Sequence, residues 1–146
     1  MSQQQEPSAA EAFIRLLEVV RELRRRCPWD REQTLGSAAK YLIEEAHEAA
    51  GALDRGEPTA IADELGDVIV QVLMAATIAA EQGSMNPEDP LTSARRKLIR
   101  RHPHIYADVK ADTVEQVIEN WDRIKREERG RPAARSALDE AGRELP

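Results

Sequence analysis

An all-α fold, a helical bundle of about five helices, is what this sequence predicts, and three observations carry the prediction. Its 146 residues include only 3% aromatics, while Ala, Glu, Leu and Arg are plentiful. These are helix formers rather than the β-branched and aromatic side chains that fill sheets. Apolar residues recur at intervals of three and four, the period of a helix with one buried face. Between those stretches Pro and Gly fall where helices start and stop, at Pro28, Gly56, Pro58, Gly83, Pro87, Pro103 and Gly130. The length suits one domain that buries a core without disulfide staples.

Taken in order, residues 9–26 form a first amphipathic helix, with Phe13, Ile14, Leu16, Leu17, Val20 and Leu23 as its stripe and Arg24 to Arg26 favouring its C-terminal end. Pro28 stops it, and Cys27-Pro28-Trp29-Asp30 reads as a loop. Thr34 or Ser37 caps a second helix to about residue 55, with Tyr41, Leu42, Ala46, Ala49 and Leu53 turned inward. Gly56 ends it and Pro58 opens a third, over 58–82, which becomes apolar on most sides past its middle. A helix of that kind is buried on most sides, so part of it is expected against another subunit, the core being completed by oligomerisation. Gly83 closes it, Asn86-Pro87 opens a fourth segment ending at His102-Pro103, and a loop runs over 102–111. Asp112 or Thr113 caps the last helix, to about residue 129, with Val114, Val117, Ile118, Trp121 and Ile124 as its stripe. Segments 1–8 and 130–146 lack periodicity and are expected to be mobile.

Composition narrows the function. A net charge of −6 disfavours general binding to nucleic acid or an anionic membrane, while a phosphorylated small molecule fits if metal and a local basic patch make the contact. Cys27 is the single cysteine, so nothing points to an oxidising compartment. The start is polar, without a signal peptide's basic and apolar regions, and the apolar run over 68–80 is too short to span a bilayer. The expected location is the cytoplasm.

Two acidic clusters carry the chemistry. Glu44-Glu45-Ala46-His47-Glu48 lies on the second helix and Glu64-Leu65-Gly66-Asp67 on the third. Residues three or four apart share a helix face, so Glu45 pairs with Glu48, Glu44 with Glu48, and Glu64 with Asp67. Antiparallel packing of the two helices brings four carboxylates together. Asp67 sits in a run of residues suited to burial, where an ionised carboxylate needs a partner. Oxygen-only ligands suit Mg²⁺ or Mn²⁺ rather than zinc. The plain alternative is a solvated helix face with each glutamate paired to Lys40, Arg55 or another base. Two pairs at helical spacing, one interrupting a core pattern, favour the metal site.

The fourth segment places Lys97 with Arg101, and Arg96 with Arg100, four residues apart. Such a basic side is either favourable placement at a helix C-terminus or a clamp for phosphate oxygens. Trp121 and Lys125 lie one turn apart, as a core aromatic beside a surface lysine or as a stacking surface beside a phosphate-binding charge. There is no Gly-rich phosphate loop, Ser/His/Asp arrangement or Cys/His metal spacing.

These residues together resemble the MazG family of nucleoside triphosphate pyrophosphohydrolases. The likeness runs through Cys27-Pro28-Trp29-Asp30, Glu44-Glu45-x-x-Glu48, Glu64-x-x-Asp67, Lys97-Leu98-Ile99-Arg100-Arg101-His102-Pro103-His104 and Asn120-Trp121-x-x-Ile124-Lys125, within 9–129. The resemblance implies an all-α protein assembled as a dimer or a dimer of dimers, which hydrolyses nucleoside triphosphates to monophosphate and pyrophosphate with Mg²⁺, Mn²⁺ substituting. It implies metal ligation by Glu45, Glu48, Glu64 and Asp67, with Glu44 as an additional acid. It implies nucleotide and triphosphate binding by Lys97, Arg101, Trp121 and Lys125, and leaves Trp29 and Asp30 as signature residues without an assigned role. Many members carry two such domains, whereas this chain has one, most like the first copy, and its segment 130–146 resembles the start of a connector.

Three other readings remain open at this point. One is a related enzyme specialised for dUTP or phosphoribosyl-ATP. Another is a di-iron carboxylate bundle using Glu44-x-x-His47, although such sites normally need a second Glu-x-x-His pair. The last is a non-catalytic helical interaction module.

Overall fold

A computed structural model of the chain describes residues 7–130, and all regular structure among them is helical. The order is α1 (Ala9–Arg26), α2 (Pro28–Arg31), α3 (Leu35–Arg55), α4 (Pro58–Glu81), α5 (Asp89–Arg101), α6 (Pro103–Tyr106) and α7 (Val114–Arg129). The five long helices are those expected from the periodicity; α2 and α6 are single turns where loops were expected. In both, a proline occupies the first turn. Its fixed φ and missing N–H suit a helix start, so the residue that ends one helix begins a short new one.

Local chemistry sets the ends. Ser8 with Glu11, Thr34 with Ser37, and Thr113 with Gln116 each form a reciprocal box in which the cap side chain and the third helical residue satisfy one another's backbone N–H. Thr34 is therefore the cap of α3 and Ser37 its partner. Ser8, expected within the mobile start, is fixed as the cap of α1. Gly56 ends α3 at φ 70°, a left-handed conformation that other residues resist. At the end of α4, Ser84 N–H donates to the Ala79 carbonyl at 3.0 Å and Gly83 N–H to that of Ala80 at 2.9 Å. That is a Schellman termination with Gly83 in the left-handed position, at φ 72°. Asn86 N–H donates to the Asp89 carboxylate at 2.8 Å ahead of α5. The connector-like segment expected beyond residue 130 lies outside the described residues.

The chain divides between Pro90 and Leu91 into two compact units. In the first, α3 and α4 pack along one another, and α1 packs against α4 and α2. A link of two residues between helices in such contact makes an antiparallel pair. Buried Ala38, Ala49 and Ala52 line α3. Small side chains let the backbones approach, which brings acids on facing turns within reach of each other. Val20, Ala38, Leu73, Met74 and Ile78 form the core cluster, flanked by Phe13, Leu16, Leu17 and Ala75.

Several residues expected inside are exposed: Ile14 and Leu23 on α1, Ala46 and Leu53 on α3, Val114 and Ile118 on α7. Leu65, Ile69 and Val72 of α4 are 41%, 43% and 40% exposed, at the i, i+4, i+7 spacing of one stripe. In the second unit, the two oxygens of Glu128 on α7 accept from Arg100 and Arg101 of α5. No helix among the described residues is long and apolar enough to cross a membrane.

Candidate metal centre and substrate-binding residues

Oxygens of Glu45 and Glu48 on α3 and of Glu64 on α4 all lie within 4.8 Å of one another. The antiparallel pair thus brings together three of the four acids expected to converge. Asp67 stands outside that trio but is the leading charged neighbour of Glu45. Partial loss of hydration, then the charges of Asp67, Glu48, Glu44 and Glu64, raise the Glu45 carboxyl above its ordinary range.

Asp67 itself is exposed, so the expectation that an apolar run buries it is corrected. The run alternates around the helix, and the side carrying Asp67 faces outward. The shielded oxygen lies one turn earlier: Oε2 of the half-buried Glu64 is screened from solvent without a hydrogen-bond partner. A carboxylate oxygen in that position is costly until a cation or donor meets it. Three convergent oxygen donors, one of them unpartnered, fit a hard divalent cation. His47 is exposed and lies outside this group of three acids.

Along the same pair of helices, a cavity of about 140 Å³ is lined by Leu23, Trp29, Asp30, Gln33, Ala38, Tyr41, Val70, Gln71 and Met74. Tyr41 lies one turn before Glu45, and Gln71 one turn after Asp67. Trp29 and Tyr41 meet with ring centroids 5.6 Å apart. Arg24 holds this region: its side chain is 8% exposed, donates to the Asp30 and Gln33 carbonyls and pairs with Glu81. No local pattern marks that anchor, because its partners are two main-chain carbonyls and an acid 57 residues away.

In the second unit Arg101 is half-buried, its Cζ 5.3 Å from the centroid of Trp121. His102 meets Trp121 edge-on at 5.0 Å. Lys97 is exposed, Lys125 half-buried, and neither forms an ion pair among the described residues. Compensation for the basic side of α5 comes from another helix: Glu128 of α7 pairs with both Arg100 and Arg101. Glu128 was legible in principle. It follows Trp121 by seven residues and Lys125 by three, on one helix face.

Residues 33–106 match the family model described as the MazG nucleotide pyrophosphohydrolase domain. The chain belongs to the MazG family. The match to MazG takes in all five acids together with Lys97 and Arg101, and ends before Trp121 and Lys125. The chain is 41% identical over 135 residues to a nucleoside triphosphate pyrophosphohydrolase of Escherichia coli K12, covering 90% of this chain and 51% of that one. It is 40% identical over 121 residues to the nucleoside triphosphate pyrophosphohydrolase/pyrophosphatase MazG of Thermotoga maritima, covering 82% and 46%. The chain thus spans about half the length of these curated relatives. A crystal structure of a MazG-related protein from Thermotoga maritima superposes with a TM-score of 0.67 at 26% identity, over 77% of this chain and 98% of that one. The helical MazG fold accounts for the absence of strands among the described residues.

Proposed function

We propose that this chain hydrolyses nucleoside triphosphates to nucleoside monophosphate and pyrophosphate with Mg²⁺, Mn²⁺ substituting, in nucleotide-pool housecleaning. The observation that carries the reading is the meeting of Glu45, Glu48 and Glu64, with one buried unpartnered oxygen, in a chain of the MazG family. Those three residues and Asp67 would hold the ion. A divalent cation held there supplies positive charge against phosphate oxygens and makes water more acidic. Glu44, the additional acid, orients the attacking water. Water attacks the α-phosphorus, the bond to the bridging oxygen breaks, and pyrophosphate leaves with that oxygen.

Lys97, Arg101 and Lys125 bind phosphate oxygens, meeting charge that the triphosphate carries before the bond breaks as well as after it. Trp121 offers a flat face to the nucleotide. No side chain needs to act as a covalent nucleophile. The enzyme works as a homo-oligomer, and the Leu65, Ile69 and Val72 stripe is the apolar surface that a second copy covers.

The deciding experiment offers a panel of ribo- and deoxyribonucleoside triphosphates, dUTP and phosphoribosyl-ATP with Mg²⁺, resolving pyrophosphate from orthophosphate among the products. Pyrophosphate from several nucleoside triphosphates supports the reading, and turnover of dUTP or phosphoribosyl-ATP alone replaces it with the specialised enzyme. Orthophosphate with nucleoside diphosphate places the cleavage at a different bond. A folded protein that releases neither product and gains no stability from nucleotide with Mg²⁺ is a non-catalytic module.

A further inference from the structure

Glu128 is a carboxylate gripped from two sides. Its Oε1 accepts from Arg100 Nε at 2.6 Å and lies 2.5 Å from Arg100 Nη2. Its Oε2 accepts from Arg101 Nη2 at 2.7 Å and Nε at 3.3 Å. Arg101 and Glu128 are 19% and 21% exposed, well shielded for an ion pair near a surface. One flank of the Arg101 guanidinium is thus fixed by Glu128, and the group also stands over the Trp121 ring. That ring is in turn met edge-on by His102, whose Nδ1 lies 2.6 Å from the Leu98 carbonyl oxygen. Nη1 of Arg101 has no partner among the described residues.

We infer that Glu128 is a positioning residue, aiming the free edge of Arg101 at the phosphate oxygens of the substrate; the inference rests on the hydrolase reading above. An arginine side chain is long and adopts many rotamers, while its planar fork is useful only when the donors point at both oxygens of an anion. Binding one edge and restraining the plane leaves the other edge directed. For binding a polyphosphate, charge alone gives no reason for an acid here. Arg101 first, and Arg100 with it, hold the Glu128 carboxyl below its ordinary range, so it stays negative at neutral pH and weakens the positive field a polyphosphate meets. Its contribution is geometric.

The opposing effects give the test a sign. Glu128→Gln and Glu128→Asp are compared with the wild-type full chain for KM and kcat with Mg²⁺, using the triphosphate that the wild type hydrolyses best, and for melting temperature. Tripolyphosphate binding is measured by calorimetry in parallel. If Glu128 positions Arg101, both variants raise KM by about three- to tenfold and weaken tripolyphosphate in proportion, while kcat stays within about twofold, the pattern of a lost binding interaction. Glu128→Asp tests this with the charge retained and the carboxylate drawn back by one methylene.

A KM that falls in Glu128→Gln shows that the negative charge was the main effect and overturns the inference. A lower melting temperature with KM unchanged in both variants reduces Glu128 to a tie between α5 and α7 and overturns it too. If Glu128→Gln does not fold, Glu128→Asp decides alone. A wild-type protein that releases no pyrophosphate refutes the hydrolase reading itself. Turnover with KM insensitive to Glu128 refutes only the positioning role.

Discussion

Replacing Glu48 by Gln should move the stability of the metal-free and the metal-loaded protein in opposite directions. Without metal, Glu45, Glu48 and Glu64 hold carboxylate oxygens within 4.8 Å of one another. Two unit charges at that separation repel by about 1 kcal/mol in a water-like dielectric and by about 3.5 kcal/mol at an effective dielectric of about 20. Glu48 is exposed, so the lower figure applies and salt reduces it further. Gln matches Glu in shape and helix propensity, leaving relief of repulsion as the main change. The metal-free variant should therefore gain about 1 kcal/mol, or about 3 °C in Tm for a chain of this length.

Metal reverses the order. A cation at about 100 times its Kd adds about 2.7 kcal/mol to the wild type, or about 8 °C. The variant, with one charged donor gone, should recover less than about a third of that at the same concentration. The assay is thermal unfolding after chelation and dialysis, repeated over a Mn²⁺ and Mg²⁺ titration, with pyrophosphate release measured on the same samples. Turnover should be abolished in folded Glu48→Gln. A variant no more stable than wild type without metal, yet equally stabilised by Mn²⁺, refutes the shared site; full activity refutes its catalytic role.

Other consequences can be checked separately. Arg24→Gln removes a buried cation that serves two main-chain carbonyls and Glu81, and should lower stability by about 2–3 kcal/mol in urea unfolding. Glu81 gives a pH signature. The hydrogen bond from Arg24 holds its carboxyl below the ordinary value of 4.5, so its stabilisation is present above that pH and is lost as pH falls through the depressed value. Glu81→Gln should accordingly lie below wild type at neutral pH, by less than about 1 kcal/mol because the acid is half exposed, and the gap should close on acidification. Ile69→Glu, in the middle of the exposed α4 stripe, should yield smaller particles by light scattering with helicity retained.

Much of this fold is local chemistry, which is why it was readable. The long helices follow from runs such as Phe13, Leu16, Leu17 and Val20, and their ends from Thr34, Gly56, Gly83 and Thr113, each acting on backbone within a few residues. Burial is less local than helix formation. Leu53, Val114 and Ile118 fit their stripes but remain exposed, because periodicity marks a face and not how far the neighbouring element covers it. The turns α2 and α6 were hidden for a related reason: Pro28 and Pro103 look like stops, and whether a new turn follows depends on what the chain meets next.

The sequence by itself determined which helix faces the acids and the bases share, since a spacing of three or four residues fixes a common face wherever the helix lies. It also placed the chain among MazG proteins before any contact was known. Only the tertiary structure decided which acid has a shielded oxygen, Glu64 rather than Asp67, and that Glu128 pairs with Arg101. Those facts depend on the approach of two helices to within a few ångströms. That approach follows from packing of side chains far apart in the chain, which no repeat or motif encodes at the positions concerned.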